Sequence, residues 1–158
     1  MSEMRVGQGW DRHRLVEGEL MKLAGIEIDA PRGPEGFSDG DPLLHALIDA
    51  LLGACGMGDI GQHFPSGNER WRDAPSKELL EKTIVKFEDL DWRLVNADLS
   101  VILEPVRLAS HRDEMEKNIE RVFSNDPVIN IKFKTADELG PIGKAKAIEA
   151  QAVVLLRR

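Results

Sequence analysis

Asp41-Pro42-Leu43-Leu44-His45-Ala46-Leu47-Ile48-Asp49-Ala50-Leu51-Leu52-Gly53-Ala54-Cys55 is the stretch around which the rest of the chain is arranged. Asp41 suits the N-cap and Pro42 the first helical position, where a missing N–H costs nothing. Leu43, Leu44, Leu47, Ile48, Leu51, Leu52 and Cys55 then recur at three-and-four spacing, which predicts a helix with a core-facing stripe. His45 falls in its first turn. Asp49, one turn later on the same face, either holds that imidazole through its second nitrogen or is simply solvated.

Upstream, Met4–Gly9 and Leu20–Ile28 read as short β-leaning segments joined by a charged loop, Asp11–Glu19. Asp11 and His13 then sit just beyond the first strand, at an i, i+2 spacing that puts both side chains on one side of extended backbone. Downstream, Met57–Pro75 carries glycine, proline and scattered charge and reads as a long loop, a candidate lid. Ser76–Asp89 reads as a second helix and Arg93–Leu103 as an alternating strand. Ser110 with Asp113 marks the start of a third helix through Phe123, and Ile129–Thr135 and Ile148–Leu156 close the chain as strands. No linker or repeat divides the sequence. The expectation is one α+β domain over residues 1–158, a mixed β-sheet with helices packed on one face. A sheet covered on only one side, with apolar residues at alternate positions, implies an oligomer.

The 158 residues are 42% apolar, enough to fill one core. Acidic residues outnumber basic ones by 28 to 21, for a formal charge of −7, and no dense basic run is present. Nucleic acid and anionic membrane are therefore not expected partners. The same field repels a phosphate ester unless a bound cation offsets it locally. Cys55, the only cysteine, reads as a small buried hydrophobe and permits no disulfide within the chain. No run of eighteen apolar residues occurs, and Met1-Ser2-Glu3-Met4 lacks a signal-peptide layout. A cytoplasmic location, or an organelle after loss of a targeting segment, is the consistent reading.

Histidine is sparse: His13, His45, His63 and His111. Asp11, His13 and His45 together offer one carboxylate and two imidazoles, a three-ligand set that leaves one metal position open, with plain surface histidines as the competing reading. Ser38-Asp39-Gly40-Asp41 leads into a helix start whose free N–H groups favour a phosphate. His63 reads as a loop residue, His111 as capping or packing, and Trp10 as core or interface. Trp71, between Arg70 and Arg72, reads either as part of an anion clamp or as part of a solvated charge cluster.

Gly7-Gln8-Gly9-Trp10-Asp11-Arg12-His13, Ser38-Asp39-Gly40-Asp41 through His45, Asp49-Ala50-Leu51-Leu52-Gly53-Ala54, Gly58-Asp59-Ile60-Gly61 and Phe64-Pro65 resemble the 2-C-methyl-D-erythritol 2,4-cyclodiphosphate synthase family of the non-mevalonate isoprenoid pathway. The resemblance runs in order from Arg5 to Leu156. It implies a homotrimer with active sites between subunits, converting 4-diphosphocytidyl-2-C-methyl-D-erythritol 2-phosphate into the cyclic diphosphate and CMP. Asp11, His13 and His45 match the family's zinc ligands, and a Mg²⁺ or Mn²⁺ ion at the substrate diphosphate lies near Asp137, where the family usually has a glutamate. Ser38 and Asp39 would frame the substrate, with Phe64 nearby, and Asp59 and Gly61 match positions holding its methylerythritol part. Leu103, Arg107 and Leu108 lie in the segment matched to the cytidine. Lys134 and Thr135 form the turn whose threonine lies near the reacting phosphate, and Lys144 keeps a basic charge able to meet a phosphate. The nucleophile is the substrate's own 2-phosphate, carrying roughly 1.5 to 2 negative charges, so no general base is expected.

The chain also departs from the family pattern. Phe37 stands where a histidine usually precedes Ser-Asp-Gly-Asp, and a phenyl ring donates no hydrogen bond. A single lost donor of this kind costs on the order of tenfold to a thousandfold in rate. Ser66-Gly67-Asn68 replaces a usually acidic pattern, and Ala136, Pro141, Lys144 and Lys146 differ from the commonest residues. Phe37 and Ser66 motivate an alternative, a member that binds zinc and a nucleotide or isoprenoid diphosphate without turning it over. A metal-dependent phosphohydrolase ranks third, for want of a water-activating base.

Overall fold

The computed structural model describes residues 2–104 and 106–158. The chain runs β1 (Met4–Val16), β2 (Met21–Leu23), β3 (Ile26–Ile28), β4 (Gly33–Pro34), α1 (Pro42–Ala54), α2 (Ile60–His63), α3 (Ser76–Glu88), β5 (Arg93–Ile102), α4 (Arg112–Glu120), β6 (Val128–Lys134), α5 (Gly140–Gly143) and β7 (Ala147–Arg157). The main sheet has the order β4-β1-β7-β5-β6, and β2 with β3 forms a separate hairpin. β5 and β6 are parallel, with α4 in the crossover between them, while the other pairs are antiparallel. The sheet is therefore mixed. α1 lies across β1 and β7, α4 packs on β6, and α3 packs on α1. The opposite face stays open: Val6, Trp10 and Val153 are exposed there, alternating along β1 and β7 with buried Gly7, Gly9, Ala152 and Val154. This is the α+β arrangement with helices on one face. Among the described residues no helix is long and apolar enough to cross a membrane.

Four segments differ from their sequence reading. β1 continues to Val16, paired with β7 from Met4↔Arg157 to Arg14↔Ala147, so Asp11 and His13 lie within the strand and not in a loop beyond it. Its charged residues are accommodated because alternate side chains point away from the helices, and Arg12 meets Glu149 across the sheet at 2.8 Å. Leu20–Ile28 folds back on itself at Ala24-Gly25, both at positive φ (53° and 74°). Met57–Pro75 contains α2 and a 3₁₀ turn at Glu69–Trp71. Trp71 is buried there, edge-on to Phe64 with ring centroids 5.1 Å apart, so the segment carries a small core of its own. At α4 a 3₁₀ turn at Ala109–His111 precedes the helix, which begins with no side-chain cap from His111, Ser110 or Asp113.

β1 lies on α1 at a distance only glycine allows. A Cβ on Gly7 would overlap the carbonyl oxygen of Ala50, and one on Gly9 would overlap that of Ala46 and stand 2.7 Å from the Ala50 nitrogen. Backbone meets backbone there, so no rotamer change relieves the clash. Gly9→Ala is expected to lower the unfolding free energy in urea by about 3 kcal/mol, the upper range for overpacking. Gly53→Ala, at an exposed position of α1 where an added methyl meets only Gln8 O at 4.0 Å, should be neutral or stabilising.

Candidate functional site

β1 carries Asp11 and His13 toward the helices, and the first turn of α1 carries His45 to meet them. Asp11 Oδ2 lies 2.8 Å from His13 Nε2 and 3.1 Å from His45 Nδ1, and the two imidazole nitrogens are 3.2 Å apart. These three residues form a metal-capable group, His45 buried and the other two half-buried. A tetrahedral zinc ion with bonds of about 2.1 Å spaces its ligand atoms about 3.4 Å apart, so the three atoms, at 2.8 to 3.2 Å, need to part only slightly to hold one.

The hydrogen bonds behind the triad decide which nitrogens face inward. His13 Nδ1 stands 2.6 Å from the Glu35 carbonyl oxygen, to which it donates, so in the neutral ring Nε2 is the lone-pair nitrogen. His45 Nε2 lies 2.8 Å from Ser76 Oγ and 3.0 Å from Ser38 Oγ, and the Ser76 hydroxyl donates to Asp39 Oδ1. Ser76 oxygen is then free to accept from His45 Nε2–H, and His45 Nδ1 also presents a lone pair. With both rings neutral, two imidazole lone pairs and a carboxylate oxygen converge, a cluster that protons on the imidazoles or a shared metal cation relieves. The proton is the metal's competitor at this cluster. Burial opposes the charge on Asp11, yet hydrogen bonds and charge from His13 and His45 hold its carboxyl well below the usual range. Burial also disfavours a charged His13, but the Asp11 hydrogen bond outweighs it and raises the imidazole above its ordinary value.

Two sequence expectations are corrected here. Asp49 does not hold His45; its Oδ1 accepts the Ile60 N–H at 3.0 Å and ties α2 to α1. Nor does the start of α1 offer free N–H groups to a phosphate. Asp41 Oδ1 accepts from both Leu43 and Leu44 N–H at 3.1 Å, the His45 N–H goes to the Asp41 carbonyl, and Asp41 Oδ2 takes the Gly25 N–H at 2.7 Å. Asp41 is buried, which pushes its carboxyl up to about 6 against the pull of those backbone N–H groups. Ser76 was not singled out from the sequence. It lies 31 residues from His45, and only the packing of α3 on α1 brings the two together.

The triad opens into a cavity of about 220 Å³ that also meets Phe37, Ser38, Ile60, Gly61, Phe64 and Trp71. Asp39 stands behind this wall with both carboxylate oxygens on Ser76. Asp59 caps α2 by accepting the Gln62 N–H at 3.0 Å. Leu103, Arg107, Thr135 and Lys144 line a different cavity of about 560 Å³, with Glu138. Leu108 is buried, and the Lys134 carbonyl accepts the Leu103 N–H at 3.0 Å. Asp137, exposed and at φ 53°, is not part of the metal-capable group. His63, held between the Met57 carbonyl at 2.8 Å and Lys86 Nζ at 2.6 Å, is not part of it either.

Two measurements check this geometry. Ser76→Ala should leave the fold intact and weaken zinc affinity by about 10- to 100-fold, the usual cost of losing an outer-shell partner, in a competitive chelator titration. Because the metal needs a neutral imidazole and Asp11 makes His13 more basic, zinc affinity should be flat at alkaline pH. It should fall by at least about tenfold between pH 7.5 and 5.5.

The chain is similar to 2-C-methyl-D-erythritol 2,4-cyclodiphosphate synthase of Dechloromonas aromatica, 46% identical over 155 residues that cover 98% of this chain and 97% of the relative. The enzyme of the same name from Treponema denticola is 42% identical over 154 residues, 97% of this chain and 96% of the relative. A solved structure of 2C-methyl-D-erythritol-2,4-cyclodiphosphate synthase in its CDP-bound form aligns with a TM-score of 0.87 at 38% identity, covering 96% of this chain and 99% of that one. The bifunctional IspDF of Campylobacter jejuni aligns with a TM-score of 0.94 at 34% identity over 99% of this chain, which spans 43% of that longer protein. Residues 4–157 match the YgbB family model, and with relatives this similar along nearly its whole length the chain belongs to the YgbB family.

Proposed function

We propose that this chain is a metal-dependent cyclodiphosphate synthase that converts 4-diphosphocytidyl-2-C-methyl-D-erythritol 2-phosphate into 2-C-methyl-D-erythritol 2,4-cyclodiphosphate and CMP. The observation that carries the reading is the convergence of three lone pairs from Asp11, His13 and His45 at the mouth of a cavity, in a family whose named relatives are this synthase. Zinc on that triad, when bound, supplies positive charge and polarisation at the β-phosphate. Glu35, Ser38, Ser76 and Asp39 keep the two imidazoles turned to the metal, and Ile60, Phe64 and Trp71 make an apolar wall that limits water. An oxygen of the substrate's 2-phosphate attacks the β-phosphorus. The bond from β-phosphorus to the bridging oxygen breaks, and CMP leaves with that oxygen and the electron pair. No proton has to be removed first, so the site needs no general base.

Arg107, Lys134, Thr135 and Lys144 meet the cytidine and the phosphates of the departing nucleotide in this reading, and Asp137 serves a Mg²⁺ or Mn²⁺ ion at the diphosphate. Support for a homotrimer comes from the split between two cavities in one chain and from the open sheet face bearing Val6, Trp10 and Val153. A neighbouring copy that covers that face can bring one chain's second cavity to another's triad.

Incubating the zinc-loaded protein with the substrate and Mg²⁺ should yield CMP and the cyclic diphosphate in equal amounts. Asp11→Asn or His45→Ala should cut turnover by more than about a hundredfold. Chelation should abolish turnover and added zinc restore it. Linear products with inorganic phosphate would reassign the chain as a hydrolase, and metal binding without CMP release would reassign it as a binding protein.

A further inference from the structure

The three aromatic side chains on the wall of the triad cavity share one feature. Each is stacked by a cation: Arg72 lies 4.8 Å from the Phe37 centroid, Arg70 4.7 Å from that of Trp71, and Lys86 5.5 Å from that of Phe64. Among the described residues no Lys or Arg lines this cavity directly, and Asp11 places one of the negative charges of this −7 chain on its wall. A substrate with a diphosphate and a further phosphate is strongly repelled by such a field, so cations held one ring away matter.

Of the three, Arg72 is the one free to turn toward a phosphate. Lys86 is engaged with His63, and Arg70 stacks on a buried ring. Phe37, by contrast, is half-buried and immediately precedes Ser38 on the cavity wall. The Asp73 N–H donates to the Phe37 carbonyl at 2.9 Å, which pins the Arg72 segment against this wall. Arg72 Nε and Nη2 grip Glu69 at 2.7 and 2.8 Å, while Nη1 has no hydrogen-bond partner among the described residues. Both ends of that ion pair are exposed, and such a pair contributes little, so Glu69 is readily exchanged for a stronger ligand. A phosphate dianion is such a ligand, since the guanidinium fork matches it in geometry and charge.

We propose that Arg72, carried on the face of Phe37 and held ready by Glu69, turns past that ring to bind the substrate's 2-phosphate. The proposal rests on the synthase reading above and adds a residue to it. Arg72 lowers the repulsion between the two phosphates as they approach, and Glu69 is the placeholder it releases.

The test compares wild type, Arg72→Gln, Arg72→Lys and Glu69→Gln, all zinc-loaded. It measures turnover, and the affinities for the substrate without Mg²⁺ and for CDP, which lacks the 2-phosphate. Arg72→Gln should weaken substrate binding by about tenfold or more and leave CDP binding within about twofold, with Arg72→Lys between it and wild type. Glu69→Gln should tighten substrate binding by about two- to fivefold by removing the competitor. Equal effects of Arg72→Gln on both ligands, or none on either, would overturn the proposal and leave Arg72 as a staple on Phe37. Should Arg72→Gln fail to fold, an unchanged or weaker substrate affinity in Glu69→Gln overturns it instead. Wild type that binds substrate but releases no CMP would refute the synthase reading, and the two affinities would still decide the role of Arg72.

Discussion

Everything at the functional end of this molecule depends on the backbone of β1 touching the backbone of α1. Gly7 and Gly9 on the strand face Ala46, Ala50 and Ala54 on the helix, and the two chains approach to where a single methyl would collide. That contact lets Asp11 and His13, two and four residues farther along the strand, reach His45 without long side chains. A helix resting on larger residues would stand off by an ångström or more, and three short ligands would no longer converge. The close seat also buries one side of the β1–β7 pair under α1, leaving the other side bare.

The electrostatics follow a similar economy. At −7 the chain repels phosphates overall, and its most prominent helix start is sealed by its own buried aspartate. Attraction for an anion is concentrated in a few places: a triad whose inward-facing lone pairs demand a cation, and guanidinium and ammonium groups laid on the aromatic walls. Because two of those cations stand on a small self-packed segment built on Phe64 and Trp71, the region that reads from composition as a lid is a braced wall.

What could be read from the sequence was local. α1 was legible in full because its cap, its Pro and its stripe lie within fifteen residues, and the Asp11-Arg12-His13 spacing showed two side chains on one side whether or not the strand continued. What escaped depended on distant partners. The continuation of β1 rests on pairing with β7 as far as Arg14, more than 130 residues away, and with β4 at Leu15 and Val16, which together outweigh the local loop character of Asp11–Glu19. Ser76 has no local signal for its role, since the hydroxyl matters only once α3 is laid on α1. Asp41 was recognised as a cap, but its Oδ2 bond to Gly25, and hence its burial, needed the β2–β3 hairpin in place.

The continuity of β1 has one more consequence. Asp11 and His13 are each locked opposite a partner on β7, Ala150 and Ile148, in a ladder without a break. Inserting or deleting one residue between the start of this strand and Asp11 would turn both ligands to the bare side of the sheet. The stretch from Glu17 to Arg32, by contrast, crosses surface turns and a short hairpin. Over evolutionary time the chain can lengthen or shorten there while the ligand-bearing strand keeps its length, so variation in size among relatives should concentrate outside β1.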